Sequence, residues 1–261
     1  MIRNNLIKSL VICFALSSAN YSFSQKTAST KKNVAWEENF YLAFNTTSYL
    51  DIIKTPLRMV DIVVGTDLDP NDPNKVIPRY AKVPYQSATI NLFSIGLEPR
   101  YNFHVLNDDA AFAVSIPTAI GIGATSSVDE TVLGTTGFGS IQVPLMLKFY
   151  LGNGSTYKSE KDYGISIGGG VEYDKLGLLN VAGESEIVKN KGFVLPVASF
   201  GIHFWRNNSP VEINLKYGQG SIEEYDSDKY GASLRDQFGN LVSRNARSSS
   251  FRISFVTLLN Y

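Results

Sequence analysis

Cysteine is nearly absent from this chain of 261 residues, which contains only Cys13. That residue lies in a short apolar stretch near the N-terminus, Leu10–Leu16, which we expect to be removed from the mature protein. Disulfide bonds and thiolate chemistry would then be excluded. The residue before the cysteine, Ile12, is not the small residue that a lipoprotein signal requires, so we do not expect lipidation.

An excess of one charge is also lacking, because 24 Lys and Arg residues balance 24 Asp and Glu residues. No block of basic residues indicates a nucleic-acid partner. After the N-terminal stretch, no apolar run is long enough for a transmembrane helix. Aromatic residues, by contrast, make up 12% of the chain, with 14 Tyr and 15 Phe. That content suits the aromatic girdles of a membrane protein.

The N-terminus has the parts of a secretory signal. Arg3 and Lys8 form a basic region, the apolar stretch follows, and the small residues Ser22 and Ser24 fit a signal-peptidase site. The apolar stretch is too short for a membrane anchor. We therefore predict a cleaved signal over 1–24, a periplasmic segment over 25–37 and one domain over 38–261.

Alternation of apolar and other residues recurs along that domain. At the C-terminal end, Phe251, Ile253, Phe255, Thr257, Leu259 and Tyr261 share one face. Successive side chains of a strand point to opposite faces, so this pattern predicts a strand with one greasy face. Eight such segments are predicted: 38–50, 88–106, 110–124, 138–151, 163–175, 192–206, 211–224 and 249–261. Each is long enough to cross a bilayer as a tilted strand.

The apolar faces are expected to point outward, towards lipid. They comprise Phe93, Ile95, Leu97, Pro99, Tyr101 and Phe103 in segment two, Ile141, Val143, Leu145, Leu147, Phe149 and Leu151 in segment four, and Val211, Ile213, Leu215 and Tyr217 in segment seven. A soluble β-sandwich also alternates. The export signal and the lengths of the loops favour a membrane barrel.

The connections alternate between short and long. Asn107–Asp109 and Asn207–Pro210 are short, and the linker from Gly152 to Asp162 is intermediate. The other connections, 51–87, 125–137, 176–191 and 225–248, are longer. Outer-membrane barrels have short periplasmic turns and longer extracellular loops. With both termini in the periplasm, the longer set would lie outside the cell.

These features resemble the small outer-membrane β-barrel proteins of Bacteroidetes-type bacteria, of the OmpA, OmpX and OmpW kind. The residues behind the resemblance are Ser22–Gln25, the eight segments and the final stretch Ser254–Tyr261. The resemblance implies an all-β, eight-stranded antiparallel up-and-down transmembrane barrel in the outer membrane of a Gram-negative bacterium. It also implies three partners: outer-membrane lipid, lipopolysaccharide and the barrel assembly machinery. It implies no cofactor.

Inward faces carry the charged residues. We expect a lumen network of Glu98, Arg100, Lys148, Glu172, Glu212, Lys216 and Arg252. An eight-stranded barrel is only wide enough for side chains to fill it, and small inward residues of segments three, five and six would leave room for the long ones. Because an unpaired buried charge is costly, we expect Arg252 to pair with Glu98 or Glu172 at similar height.

Two further groups were candidates for chemistry. Asp67, Asp69 and Asn71 offer oxygen ligands at alternate positions, but Asp72 and Pro78 stand where an EF-hand needs Gly and Glu, so turns are the simpler interpretation. His104 and His203 are expected to face the lumen near the periplasmic end. Lipid-modifying barrels place their sites towards lipid at the outer leaflet, and no G-x-S-x-G motif occurs. We therefore expect no catalytic residues and no metal.

Three functions remain in view from the sequence. The first is a non-enzymatic barrel whose surface loops bind a ligand or support envelope integrity. The second is a narrow channel for small or apolar solutes. The third is a lipid-modifying outer-membrane enzyme. Loops carry function in such proteins, and these loops contain no recognised motif, so no ligand is predicted.

Overall fold

The computed structural model describes residues 37–47, 50–70, 72–127, 135–180, 192–206, 209–225 and 244–260. The chain divides into two units, Met1–Glu38 and Asn39–Tyr261. A single 3-10 turn, Glu37–Asn39, precedes the first strand. The predicted signal, most of the predicted periplasmic segment and the terminal Tyr261 lie outside the described residues.

Twelve strand segments follow this turn. They are β1 (Phe40–Thr47), β2 (Asp51–Lys54), β3 (Arg58–Asp69), β4 (Asp72–Tyr85), β5 (Ser87–Asn107), β6 (Ala110–Ser115), β7 (Ala119–Ser127), β8 (Thr135–Gly152), β9 (Tyr163–Asn180), β10 (Phe193–Arg206), β11 (Ser209–Tyr225) and β12 (Arg244–Leu258). Within the described residues, no helix is long and apolar enough to span a bilayer.

Ten of these segments close into a ring of eight strands. β1 and β2 form one ring strand because both pair with β12 on one side and with β5 on the other. β6 and β7 likewise form one strand between β5 and β8. From β8 to β12 each strand pairs antiparallel with the next. The eight-stranded antiparallel up-and-down barrel predicted from the sequence is confirmed.

Alternation sorts side chains between the two surfaces of this ring. Large apolar residues cover the outside, including Leu147 (62% exposed), Ile122 (67%) and Val194 (63%). Most inward positions are polar or small, and the larger apolar ones include Ile53, Leu176 and Phe193. The exception among the predicted outward residues is Val211, which is 1% exposed. It lies between Phe204 and Thr257 of the neighbouring strands, which leave it little exposed surface.

The ring has two unlike ends. One, here the turn end, carries the connections β5–β6, β8–β9 and β10–β11 together with Phe40 and Leu258, the outer ends of β1 and β12. The opposite, loop end carries the connections β2–β5, β7–β8, β9–β10 and β11–β12. Strand ordering reaches further into the loop end than the sequence predicts. β9 continues to Asn180, and β12 begins at Arg244 rather than at 249.

The predicted first long loop, 51–87, is wrong for most of its length. Asp51–Lys54 continue the first ring strand, and β3 and β4 form an antiparallel hairpin that pairs only with itself in the described structure. Its valines and isoleucines favour strand structure. Prolines at Pro73, Pro78 and Pro84 disguise the second strand, because proline in a sheet is confined to edges, strand starts and bulges.

The third ring strand is interrupted at Ile116–Thr118, between β6 and β7. Ser115 pairs with Met146 and Ala119 with Gln142, so the register brings Pro117 opposite Pro144 of β8. Neither proline has an N–H to donate between the interrupted strand and β8. Hydrogen bonds to β5 on the other side hold the segment in place, since Ile116 N donates to Pro99 O at 3.0 Å and Thr118 Oγ1 to Leu97 O at 2.8 Å.

Candidate functional site

The barrel interior, here the lumen, collects the charged side chains that strand parity places on inward faces. The seven residues of the expected network are all between 0% and 5% exposed: Glu98, Arg100, Lys148, Glu172, Glu212, Lys216 and Arg252. Small neighbours give them room. A Cβ on Gly168, which pairs with Lys148, would lie 2.6 Å from Lys148 Cγ. The residues separate into two groups along the barrel axis.

The first group is the turn-end half of the lumen, which contains Glu98, Arg100, Lys148, His203 and Glu212. Lys148 Nζ donates to Glu98 Oε1 at 2.6 Å, and both side chains are buried. Their strands, β8 and β5, are separated by β6, whose inward Ala113 is small enough for the two side chains to meet. This is a direct buried ion pair, which is strong when complete and very unfavourable when one partner is lost.

Arg100 is held by aromatic faces and by backbone oxygen. Its guanidinium carbon lies 4.0 Å from the centre of the Tyr41 ring and 4.1 Å from that of Tyr150. Its Nη2 donates to Gly154 O at 2.7 Å. The two rings and the carbonyl supply negative electrostatic potential around the cation in place of water. Sequence parity predicted the inward direction of Arg100 but not these partners.

Glu212 is the second buried carboxylate of this half. Its Oε1 accepts from Ser166 Oγ at 2.8 Å and from Asn214 Nδ2 at 2.6 Å. His203, 2% exposed, brings its Nε2 to 3.8 Å from the same oxygen. His203 therefore faces the lumen, as predicted, and lies beside the hydrogen-bonded cluster around Glu212, with no hydrogen bond from its Nε2 to the described residues.

His104 is a correction, because it is exposed on the outer face. A β-bulge in β5 brings Asn102 opposite Ala113 but His104 opposite Phe112, so one extra residue shifts the alternation. The His104 ring stacks on Phe112 with centroids 6.3 Å apart. Sequence parity could not detect the inserted residue.

The intermediate linker Asn153–Asp162 closes the turn end. Asn153, Ser155, Thr156 and Ser159 are buried within it. Asn102 Nδ2 donates to Ser155 O at 2.7 Å, and Ser159 Oγ donates to Asp109 Oδ1 at 2.8 Å. Trp205 Nε1 of the nearby strand β10 donates to Lys161 O at 2.9 Å, and Tyr157 Oη donates to Phe40 O of β1, across the ring, at 2.7 Å. We call this segment the turn-end plug. Its Gly, Asn, Ser and Thr content predicts a turn, but no periodicity reveals that the turn folds across the opening.

The second group is the loop-end half of the lumen, which contains Asp51, Gln142, Glu172, Asp174, Lys216 and Arg252. Gln142 connects it: Nε2 donates to Asp51 Oδ1 at 2.7 Å, while Oε1 accepts from Lys216 Nζ at 2.9 Å and Arg252 Nη1 at 3.1 Å. Lys216 forms an ion pair with Glu172, which also accepts from Ser250 Oγ. An uncharged amide thus links two cations and a carboxylate.

The expected pairing of Arg252 with Glu98 or Glu172 is wrong. Arg252 donates to Gln142 and, through Nη2, to Asn45 Oδ1 at 2.8 Å. Glu98 and Glu172 are paired instead with Lys148 and Lys216. Residue counting from the turn end gives height but not position around the ring, and the two lysines lie on strands next but one to those of the acids.

Two acids of the loop-end half were missed from the sequence. Asp51 lay in the supposed loop, although Ile52 and Lys54 alternate with Asp51 and Ile53. Asp174 follows Glu172 by two residues, which alone indicates the same face. Asp174 is 0% exposed, and neither of its carboxylate oxygens has a hydrogen-bond partner among the described residues. An apolar cluster that includes Ile53, Leu176, Phe193 and Leu195 lies in the same half.

One small cavity lies in the turn-end half. A cavity of about 10 Å³ there is lined by residues that include Glu98, Arg100, His203 and Glu212. That is the space of about one water molecule. Arg100 Nε and His203 Nε2 have no hydrogen-bond partner within the described residues, so a single water would find polar groups to bind.

The loop ligand set is not assembled as a metal site. Asp67 and Asp69 lie on β3, where Asp69 is 3.7 Å from Lys75 and Asp67 is 4.0 Å from Arg79. Asn71 lies outside the described residues. Among those described, no group of three or more His, Cys, Asp or Glu side chains is arranged to hold a metal ion.

No protein-family model matches the chain, and no curated protein matches it. Among solved structures, it is similar to the outer membrane protein OprG from Pseudomonas aeruginosa. The two share 9% identity and superpose with a TM-score of 0.41, covering 85% of this chain and 96% of OprG. The barrel assignment rests on the closed ring and its apolar outer face rather than on this distant likeness.

Proposed function

We propose that the protein is a non-enzymatic outer-membrane barrel that anchors surface-exposed elements for binding or envelope integrity. The supporting observation is the filled lumen. Ion pairs and amides cross both halves, the apolar cluster occupies the loop end and the plug covers the turn end. Such an interior suits a rigid anchor better than a conduit. We propose periplasmic termini and extracellular long loops, on the OmpA, OmpX or OmpW pattern.

The β3–β4 hairpin is the element that this anchor would display. It pairs only with itself among the described strands, and its outer part exposes Leu68 (66%) and Val76 (55%). Exposed apolar residues held on a rigid frame favour a binding role. Binding through a displayed hairpin requires no passage through the barrel, which agrees with the filled lumen.

The test joins conductance with surface labelling. In planar bilayers, the purified barrel should show no single-channel steps, and an epitope inserted next to Asn71 should be labelled on intact cells. The matched control carries the same epitope in the Asn107–Asp109 turn and should be labelled only after permeabilisation. Steady channel openings, or surface labelling of the turn alone, would contradict the proposal.

A second candidate, passage of small apolar solutes, is favoured by one observation. The break at Ile116–Thr118 leaves Pro117 opposite Pro144 in the wall, where cross-strand hydrogen bonds are missing. Uptake of an apolar dye into barrel-containing vesicles, lost when Pro117→Thr and Pro144→Thr are combined, would support that route. For the third candidate, lipid modification, the described residues contain no assembled nucleophile and base. A change in lipid A on overexpression would reinstate it.

A further inference from the structure

The outer face at the loop end carries a basic pair directly beyond its apolar surface. Ile52 pairs with Ile90 on one side and with Phe251 on the other, and Phe251 pairs with Tyr217. These four residues form one row across β5, β2, β12 and β11. Towards the loop end, Arg247 is the second outward residue of β12 after Phe251. Lys54 is the next outward residue of β2 after Ile52. Both cations are exposed.

Lys54 and Arg247 are neighbours across a strand boundary. Lys54 pairs with Ser249, so Arg247 is its diagonal neighbour on the same face. Diagonal neighbours on adjacent strands lie about 7–8 Å apart, within joint reach of long side chains. Neither cation forms an ion pair within the part of the chain that the structure describes. The outward acid Glu224 of β11 pairs with Asn245 and is a diagonal neighbour of Arg247 on the side away from the apolar row, but the two form no ion pair in the described structure.

Buried hydrogen bonds fix the backbone under this pair. Gln86 Nε2 donates to Thr55 O and to Arg247 O, both at 2.8 Å, and thereby ties the end of the first strand to β12. Thr55 N also donates to Ser87 O at 2.8 Å. Gln86 and Thr55 are buried, at 8% and 1% exposed. The two cations are therefore presented from a held frame rather than from a loose loop.

We propose that Lys54 and Arg247 bind the phosphate of a phosphorylated glycolipid in the leaflet at the loop end. Its acyl chains would lie against the row of Ile90, Ile52, Phe251 and Tyr217, and its phosphate would meet both cations. Charge complementarity and continuity with the lipid-facing surface select a lipid over a soluble ligand. The site deepens the proposed function, because it rests on the loop end facing the outer leaflet.

Native mass spectrometry of the purified barrel, titrated with diphosphoryl lipid A in detergent, tests this site. Each nearby cation contributes about 1 kcal/mol to attraction by an anionic lipid surface. Lys54→Gln and Arg247→Gln should each weaken lipid A binding about fivefold, and the double variant roughly 25-fold by the same estimate. The matched control is Lys175→Gln, an exposed lysine two residues beyond the outward Tyr173 on the other side of the ring, which should leave binding unchanged.

Three results would overturn the site: an unchanged double variant, an equal loss in Lys175→Gln, or displacement of lipid A by millimolar inorganic phosphate. Unboiled gel mobility checks that each variant is folded, and Lys54→Arg with Arg247→Lys should retain binding. Failure of the surface labelling would contradict the proposed orientation while leaving this binding intact. Loss of the site would leave the labelling pattern unchanged, so the two failures are distinguishable.

Discussion

The two halves of the lumen solve the same problem of burying charge in different ways. In the turn-end half, Glu98 and Lys148 touch directly and Arg100 is enclosed by two rings and a carbonyl. In the loop-end half, Lys216 also pairs directly with Glu172, but Gln142 joins this pair to Arg252 and Asp51 in one network. The loop-end half also contains three acids against two cations. The difference indicates that stability at the turn end depends on separate contacts. At the loop end it depends on a network of linked contacts.

The largest effect should come from breaking the Glu98–Lys148 pair, which no linking amide among the described residues supports. Lys148→Met leaves Glu98 buried without its cation, and such losses cost about 3–5 kcal/mol. Urea unfolding in lipid vesicles, followed by gel mobility, measures the change. Adding Glu98→Gln to Lys148→Met should recover part of the loss. If the two losses simply add, Glu98 and Lys148 are not coupled and the contrast between the halves fails.

Arg252→Met should cost less, about 2 kcal/mol, because it removes hydrogen bonds to the neutral amides of Asn45 and Gln142. The coupling of Arg252 to Glu98 in a double-mutant cycle should be smaller than the coupling of Lys148 to Glu98 measured in the same lipid. Equal couplings would show that the amide network does not separate the two halves.

Asp174→Asn should be neutral or stabilise the barrel by about 1 kcal/mol, since it replaces a buried carboxyl group whose oxygens have no hydrogen-bond donor among the described residues. Glu172→Gln is the matched control from the same strand and face, and it should destabilise because Lys216 loses its partner. A loss of stability in Asp174→Asn as large as that in Glu172→Gln would mean that the loop-end acids are equivalently paired.

The smallest effect is expected outside the lumen. Arg79 and Asp67 on the hairpin are separated by 4.0 Å, and their side chains are 61% and 56% exposed. Water and salt screen such pairs, so Arg79→Gln should change the unfolding free energy by less than about 0.5 kcal/mol. The same urea titration measures it. A change comparable to that of Lys148→Met would show that hairpin contacts, rather than burial, dominate stability.

Most of the correct predictions came from strand parity, the alternation of successive side chains between the two faces of a strand. It gave the eight ring strands, the outward direction of Leu147 and the inward direction of residues such as Lys148, because a period of two specifies faces without any tertiary information. It failed where one residue was added, as at the bulge before His104. The first predicted segment also ended too early, at residue 50, although Thr47 and Asp51 keep the same parity and are both buried.

Which inward side chains contact each other could not be predicted from the sequence, for a separate reason. Parity states that Arg252, Glu98 and Lys148 all point inward, but strand tilt and stagger decide which of them meet. The plug was hidden because a turn that folds inward has the same composition as one that folds outward. The hairpin could not be predicted because Pro78 and Pro84 lie in its second strand. Proline has no backbone N–H to donate, so its presence in a sequence argues against a strand.

The seam between the first and last ring strands has a consequence for the order of events during folding. Leu42 N donates to Asn260 Oδ1 across 218 positions of the chain, and Arg252 reaches Asn45 across 207. Contacts so distant in sequence form late, since the intervening chain must first be ordered. Until then β1 and β12 are open edges that can pair with another chain. A vesicle-refolding time course should therefore show the β8–β9 hairpin protected from hydrogen exchange before Leu42 and Leu259.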